Sequence, residues 1–138
     1  MSEHREQATL FHWAEIMQSR HPQLALMFAI PNGGKRKSGW WEKAEGLKSG
    51  VPDIFLAVPR FPDDIQSILY FDGASTMRIS DDMRFGLFIE MKFGKNKTSK
   101  NQKGWIEALI AEGYAVEVCY SFEEAKQAII GYLGLEVG

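Results

Sequence analysis

Apolar residues recur at helical spacing near the start of the chain, with Leu10, Trp13, Ala14 and Met17 predicting an amphipathic helix over about residues 3–19. Glu3, Glu6 and Gln7 continue roughly the inner face of that helix. They read either as dipole-favoured residues of a first turn or as functional carboxylates. His12 and Glu15 make no metal-ligand spacing with anything nearby and read as surface. His21-Pro22 closes the helix. Leu24 to Ile30 is an apolar run of strand length, and Pro31-Asn32-Gly33-Gly34 is a turn after it.

Ser38 to Lys48, with Trp40, Trp41, Ala44 and Leu47, predicts a short helix punctuated by Ser49-Gly50. A strand follows over 53–58. Residues 59–84 lack helical period; Ser67–Phe71, Asp72-Gly73 and Thr76–Ile79 predict a hairpin inserted between core strands. It is partly aromatic and reads as an exposed arm able to bind a partner. A strand over 85–92 leads into a lysine-rich loop. Ser99 and Gln102 have the spacing of a capping box, opening a helix through Trp105, Ile106, Leu109 and Ile110 to about Glu112, ended by Gly113. Residues 115–120 form the next strand. Ser121 and Glu124, spaced as another capping box, open a last helix through Phe122, Ala125, Ala128, Ile129 and Tyr132 to Leu133. The order describes an α/β domain. Its end is a β-α-β unit, so the last two core strands should be parallel neighbours.

Composition changes this picture little. The chain has 138 residues, 45% hydrophobic and 25% charged, as expected of one soluble globular domain spanning 1–138. Its one cysteine, Cys119, lies in an apolar strand; it excludes an internal disulfide and reads as a buried residue rather than a nucleophile. There is no signal-peptide pattern and no apolar run of membrane-spanning length, so the expected location is the cytoplasm.

Charge distribution matters more than the net value of −2. From Lys92 to Lys103 there are five lysines (92, 95, 97, 100 and 103) and no acid. That stretch is either a solvated loop or a phosphate track, and its place after Glu90-Met91-Lys92 favours the track. Lys35-Arg36-Lys37 is a second basic knot, and Asn32-Gly33-Gly34 before it is either a plain turn or backbone able to approach a phosphate.

The chemistry concentrates in two stretches. Asp53, preceded by Pro52, opens an apolar strand, and Glu90 and Lys92 close another. Two apart on a strand, Glu90 and Lys92 point the same way while Ile89 and Met91 point the other. Phosphodiester cleavage needs a hard cation, oxygen ligands for it, and a group that orients water or steadies developing charge. Asp53 and Glu90 can be ligands, the Met91 backbone carbonyl would lie near the same ion, and Lys92 can be the donor. The alternative for Glu90 and Lys92 is a surface ion pair worth about 0–1 kcal/mol.

Gly50-Val51-Pro52-Asp53-Ile54 followed by Phe88-Ile89-Glu90-Met91-Lys92 resembles the PD-(D/E)XK nuclease superfamily and, more narrowly, the virus-type replication–repair nuclease (VRR-NUC) domain. Glu3 and Gln7, Ile30-Pro31-Asn32-Gly33-Gly34, Leu47-Lys48-Ser49-Gly50, Ser99 and Gln102 before Trp105, Gly113-Tyr114 and Glu124-Ala125 match in order along almost the whole chain. The resemblance implies a restriction-endonuclease-like core with a central mixed β-sheet flanked by helices. It also implies a Mg²⁺- or Mn²⁺-dependent endodeoxyribonuclease, similar to the often phage-borne, stand-alone homodimers that resolve Holliday junctions in DNA repair. By the same resemblance Asp53 and Glu90 are metal ligands, Lys92 is the catalytic lysine, and Gln102 faces the active site. Glu3 or Glu6 completes the site. Asn32, Gly33, Lys35, Arg36, Lys95, Lys97 and Lys100 are the expected DNA contacts. The Asp53–Glu90 interval is longer than the motif usually shows, which fits the inserted hairpin. The competing functions are a catalytically inactive nucleic-acid-binding module and a duplex-cutting, restriction-like nuclease.

Overall fold

A computed structural model describes residues 2–31, 44–61, 69–71, 77–79 and 83–136. Asn32, Gly33, Lys35, Arg36, Trp40, Trp41 and the Asp72-Gly73 turn lie outside the described residues.

The first helix, α1, spans Glu3–Met17. The Ser2 hydroxyl caps it by accepting the Arg5 N–H at 3.2 Å, and Leu10 and Ala14 are its buried face. The apolar run after it is not a strand throughout. Pro22–Leu26 is a 3-10 helix, and only Met27–Ala29 is strand β1. The burial pattern gives the reason. Leu24 and Met27, three apart, are buried, while Leu26 and Phe28 are about half exposed. A strand would put Leu24, Leu26 and Phe28 on one face; a 3-10 turn aligns residues three apart, and Pro22 starts it where its missing N–H costs nothing.

The helix expected to continue to Lys48 has given way to a turn by Glu45, and Gly46 takes a left-handed φ of 95°. Strand β2 is Ile54–Leu56. Next come β3, Leu69–Phe71, and β4, Met77–Ile79, paired with each other as a separate antiparallel hairpin. Backbone bonds in both directions between Arg60 and Arg84 close the base of this excursion. Strand β5 is Leu87–Met91, helix α2 Lys100–Ala111, strand β6 Ala115–Cys119 and helix α3 Phe122–Leu133.

The main sheet has the order β1-β2-β5-β6. β1–β2 and β2–β5 are antiparallel and β5–β6 is parallel, so α2 is the crossover of the expected β-α-β unit. One face of the sheet carries Ile54, Leu56, Leu87, Ile89, Met91 and Cys119, which pack with Leu10 and Ala14 of α1 and Ala125, Ile129 and Tyr132 of α3. The Tyr132 hydroxyl donates to the Val58 carbonyl at 2.8 Å, locking α3 to the end of β2. Burial, with the carboxylates of Glu117 and Glu124, pushes the Cys119 thiol up to about 12; Cys119 is a small core residue and not a nucleophile.

The other face begins with rings and ends in charge. Phe55 stacks on Phe88 at 4.3 Å, and Phe88 meets Tyr114 edge-on at 5.3 Å. A Cβ on Gly86 would come within 2.6 Å of the Phe55 ring, so only glycine lets β5 pass beneath it. Two and four residues beyond Phe88 on this face are Glu90 and Lys92, where α2 begins. Among the described residues no helix is long and apolar enough to cross a membrane.

Candidate active site

Glu90 and Lys92 are not a surface pair: they are 2% and 8% exposed. Both line a cleft of about 410 Å³ at the end of β5, with Glu3, Ser49, Gly50, Asp53, Met91, Asn96, Lys97, Ser99 and Gln102.

Pro52 explains how Asp53 and Met91 come to share this place. Ile54 pairs with Ile89, so the same register carried two residues further sets Met91 level with Pro52. An antiparallel pair there would exchange two backbone bonds, but Pro52 has no N–H to give. The ladder ends, and Asp53 Oδ2 accepts the Met91 N–H at 2.7 Å in its stead. The Met91 carbonyl, on the same side of the strand as its N–H, has no Pro52 donor to engage it. One imino acid thus frees a carbonyl oxygen and draws a carboxylate beside it.

Asp53 lines the same cleft as Glu90, and the two carboxylates interact electrostatically. Glu90 is pushed up to about 9, first by burial, then by the neighbouring Asp53 carboxylate, with Glu3 adding to the rise and Lys92 opposing it. Glu90 Oε1 is buried with no hydrogen-bond partner among the described residues. Such an atom is costly to leave unmatched; a cation held jointly with Asp53 would satisfy it. Among the described residues no three His, Cys, Asp or Glu side chains form a cation cage. The available donors are two carboxylates that share the cleft, a main-chain carbonyl and Glu3 on the same wall. That all-oxygen set fits a hard ion such as Mg²⁺, which takes one or two carboxylates and keeps waters and phosphate oxygens.

Gln102 both caps α2 and reaches across the cleft. Its Oε1 accepts the Ser99 N–H at 2.8 Å, and its own N–H goes to Ser99 Oγ at 3.1 Å, which is a complete capping box. The same Oε1 accepts Lys92 Nζ at 2.7 Å, while Nε2 reaches Glu90 Oε2 at 3.4 Å. Two donors converge on one amide atom, which fixes that atom as the oxygen. The start of α2 therefore holds Lys92 and Glu90 in place.

Residues 2–123 match the model of the VRR-NUC domain. The chain belongs to the VRR-NUC family. It therefore carries a nuclease-type domain. A solved structure described as a VRR_NUC domain protein aligns with a TM-score of 0.70 at 22% identity, over 98% of this chain and 90% of that one. At that identity the likeness concerns the fold, and the mixed, helix-flanked α/β sheet expected from the sequence is the one observed. No curated protein matches the sequence.

The VRR-NUC core separates the two candidate acids of α1. Glu3 lines the cleft. Glu6 points to the start of α3, where its Oε1 accepts the Phe122 N–H at 3.1 Å and helps cap that helix. Glu6→Ala is expected to cost about 1 kcal/mol of stability and leave turnover intact, whereas Glu3→Ala is expected to lower turnover with little change in melting temperature. Thermal melts beside cleavage assays check both; a turnover loss confined to Glu6→Ala would reverse the assignment.

Of the expected DNA contacts, Lys97 lines the cleft. Lys95 is exposed but does not line it. Lys100 instead borders a neighbouring, largely apolar cavity of about 590 Å³ with Asn101, Gly104, Trp105 and Ala108. The second predicted capping box is shifted by one residue. Ser121 Oγ accepts the Glu124 N–H at 3.1 Å, but Glu124 Oε1 accepts the N–H of Tyr120 rather than of Ser121. Asn96 and Asn101 are polar residues near the site that the sequence pattern passes over, while Ser49 figured only as part of the Leu47–Gly50 match, before a Gly50 with a φ of 90°.

Proposed function

We propose that this protein is a Mg²⁺- or Mn²⁺-dependent endonuclease that cuts branched DNA, four-way junctions foremost, as a homodimer. The observation that carries the reading is the convergence of Asp53, Glu90 and Lys92 on one cleft, beside a buried Glu90 oxygen that has no partner among the described residues.

Asp53, Glu90 and the Met91 carbonyl would hold the ion, with Glu3 on the wall of the same cleft within reach of its waters. A bound Mg²⁺ or Mn²⁺ supplies charge neutralisation at the phosphate and makes water acidic enough to attack it. The rest falls to side chains. Lys92, oriented by Gln102 Oε1, directs an N–H toward the oxygen charge that builds on phosphorus. Gln102 keeps Glu90 turned inward. Lys97 and the lysines beside it attract the flanking backbone.

The preference for branched DNA rests on symmetry. A four-way junction is nearly two-fold symmetric, and paired cuts need two active sites, which a two-fold homodimer supplies. The decisive experiment incubates the protein with Mg²⁺ or Mn²⁺ and four-way, splayed, flapped and linear duplex DNA, with EDTA controls. Metal-dependent scission strongest on the junction supports the reading. Equal cutting of linear duplex would favour a restriction-like enzyme, and tight binding without scission an inactive binding module.

A further inference from the structure

Asn101 precedes the Gln102 that bridges Lys92 and Glu90, yet its side chain turns to a different partner. Its Nδ2 donates to the Ser49 carbonyl at 2.9 Å and to Ser49 Oγ at 3.0 Å. The two segments touch closely. A Cβ on Gly50 would lie 3.0 Å from both the carbonyl carbon and Cγ of Asn101, and the φ of 90° at Gly50 is one that side chains rarely take. The loop leading into Asp53 is thereby clamped to the start of α2.

The second of those bonds has a chemical consequence. A serine hydroxyl both donates and accepts. With Oγ accepting from Asn101, the Ser49 proton remains to be given elsewhere. Ser49 is exposed and lines the same cleft as Asp53, Glu90 and Lys92. Asn101 binds the Ser49 carbonyl as well, so both backbone and side chain of Ser49 are held and little freedom is left to lose on binding.

We infer that Ser49 contacts the substrate, donating its hydroxyl proton to a non-bridging oxygen of the DNA backbone in the cleft, and that Asn101 is the positioning residue that aims it. The inference rests on the nuclease reading above and adds to it a neutral donor beside Lys92 and Lys97. A hydrogen bond to an anionic oxygen is stronger than a neutral one, and one made equally to bound substrate and transition state changes KM rather than kcat.

Steady-state cleavage of a fluorescein-labelled four-way junction with Mn²⁺, run alongside thermal melts, tests this. Ser49→Ala and Asn101→Ala should each raise KM about tenfold with kcat within about twofold of wild type. The double variant should be no worse than either single one, because both remove the same contact. Ser49→Thr, which keeps the hydroxyl, should stay near wild type. Wild-type KM in Ser49→Ala, whatever Asn101→Ala does, would overturn the inference and leave Asn101 a mere tether. So would strictly additive losses in the double variant. Wild-type protein that cuts no DNA would refute the nuclease reading instead. The Ser49 contact is then judged by fluorescence anisotropy on the same junction, where the same pattern is expected in Kd and unchanged Kd in Ser49→Ala overturns it.

Discussion

Replacing Lys92 with alanine is expected to lower kcat for DNA cleavage about 10²–10³-fold while Kd for the same DNA changes little. The magnitude is that of losing one preorganised donor aimed at developing charge. Loss of fold is not the cause, because Gln102 Oε1 keeps its second donor, the Ser99 N–H at 2.8 Å, so the start of α2 stays capped. Lys92 lies at the wall of an open cleft, and water can enter the space its stem leaves. Single-turnover cleavage with anisotropy binding and a melting curve separates the three effects. Cleavage at the wild-type rate would remove Lys92 from the chemistry, and loss of binding in step with rate would make it a simple phosphate contact.

The second large effect concerns the cation and is readable without DNA. With Mn²⁺ at about a hundred times its Kd, the melting midpoint should rise by roughly 5–10 °C, from about 2.7 kcal/mol of linkage in a domain of this size. Asp53→Asn and Glu90→Gln should abolish that rise. Asparagine is the apt change at 53, since its carbonyl oxygen can still accept the Met91 N–H; alanine would orphan that amide. A proton stands in where the cation would sit. Glu90 titrates at about 9 in the fold against an ordinary 4.5. A carboxyl raised on folding favours the folded state most fully below its unfolded value, and the contribution is lost as pH rises through the folded one. In EDTA, then, the wild type should lose stability relative to Glu90→Gln as pH climbs from about 5 to 9. The groups that set this are Asp53, Lys92 and Glu3 around Glu90. Adding Mn²⁺ should flatten the decline, because the ion replaces the proton. Parallel pH profiles for the two proteins in EDTA would contradict the burial of Glu90 as a strained acid.

These residues also show where sequence reasoning stops. The alternation that put Glu90 and Lys92 on one side of a strand and Ile89 and Met91 on the other was legible because side-chain direction in a strand follows from position alone. The helix starts at Ser99 and Ser121 were legible because a cap is a contact among residues three or four apart. Periodicity misled at Leu24–Ile30, where an apolar run of strand length hides a 3-10 turn. Its class is decided by which residues the core takes up, not by the run itself.

Between Glu3 and Glu6 the chain offered only the spacing to Gln7, which favours Glu3 without separating the two. Both sit in the first turn of α1, and only the packing of α1 against α3 sends Glu6 to the Phe122 amide and leaves Glu3 on the cleft. Gln102 is similar: its capping role was local and visible, while its grip on Lys92 and Glu90 depends on where α2 crosses the sheet. The Ser49–Asn101 contact joins residues 52 positions apart and left no periodic trace.

By itself, then, the sequence determined the order of helices and strands, the family, and which residues carry acid and amine. Those are properties of neighbours along the chain. Tertiary structure alone decided that Pro52 halts the β2–β5 ladder level with Met91, turning Asp53 onto β5 beside Glu90, and that burial makes this pair a place where a positive charge is wanted. Desolvation and proximity belong to three dimensions, and no spacing in one dimension encodes them.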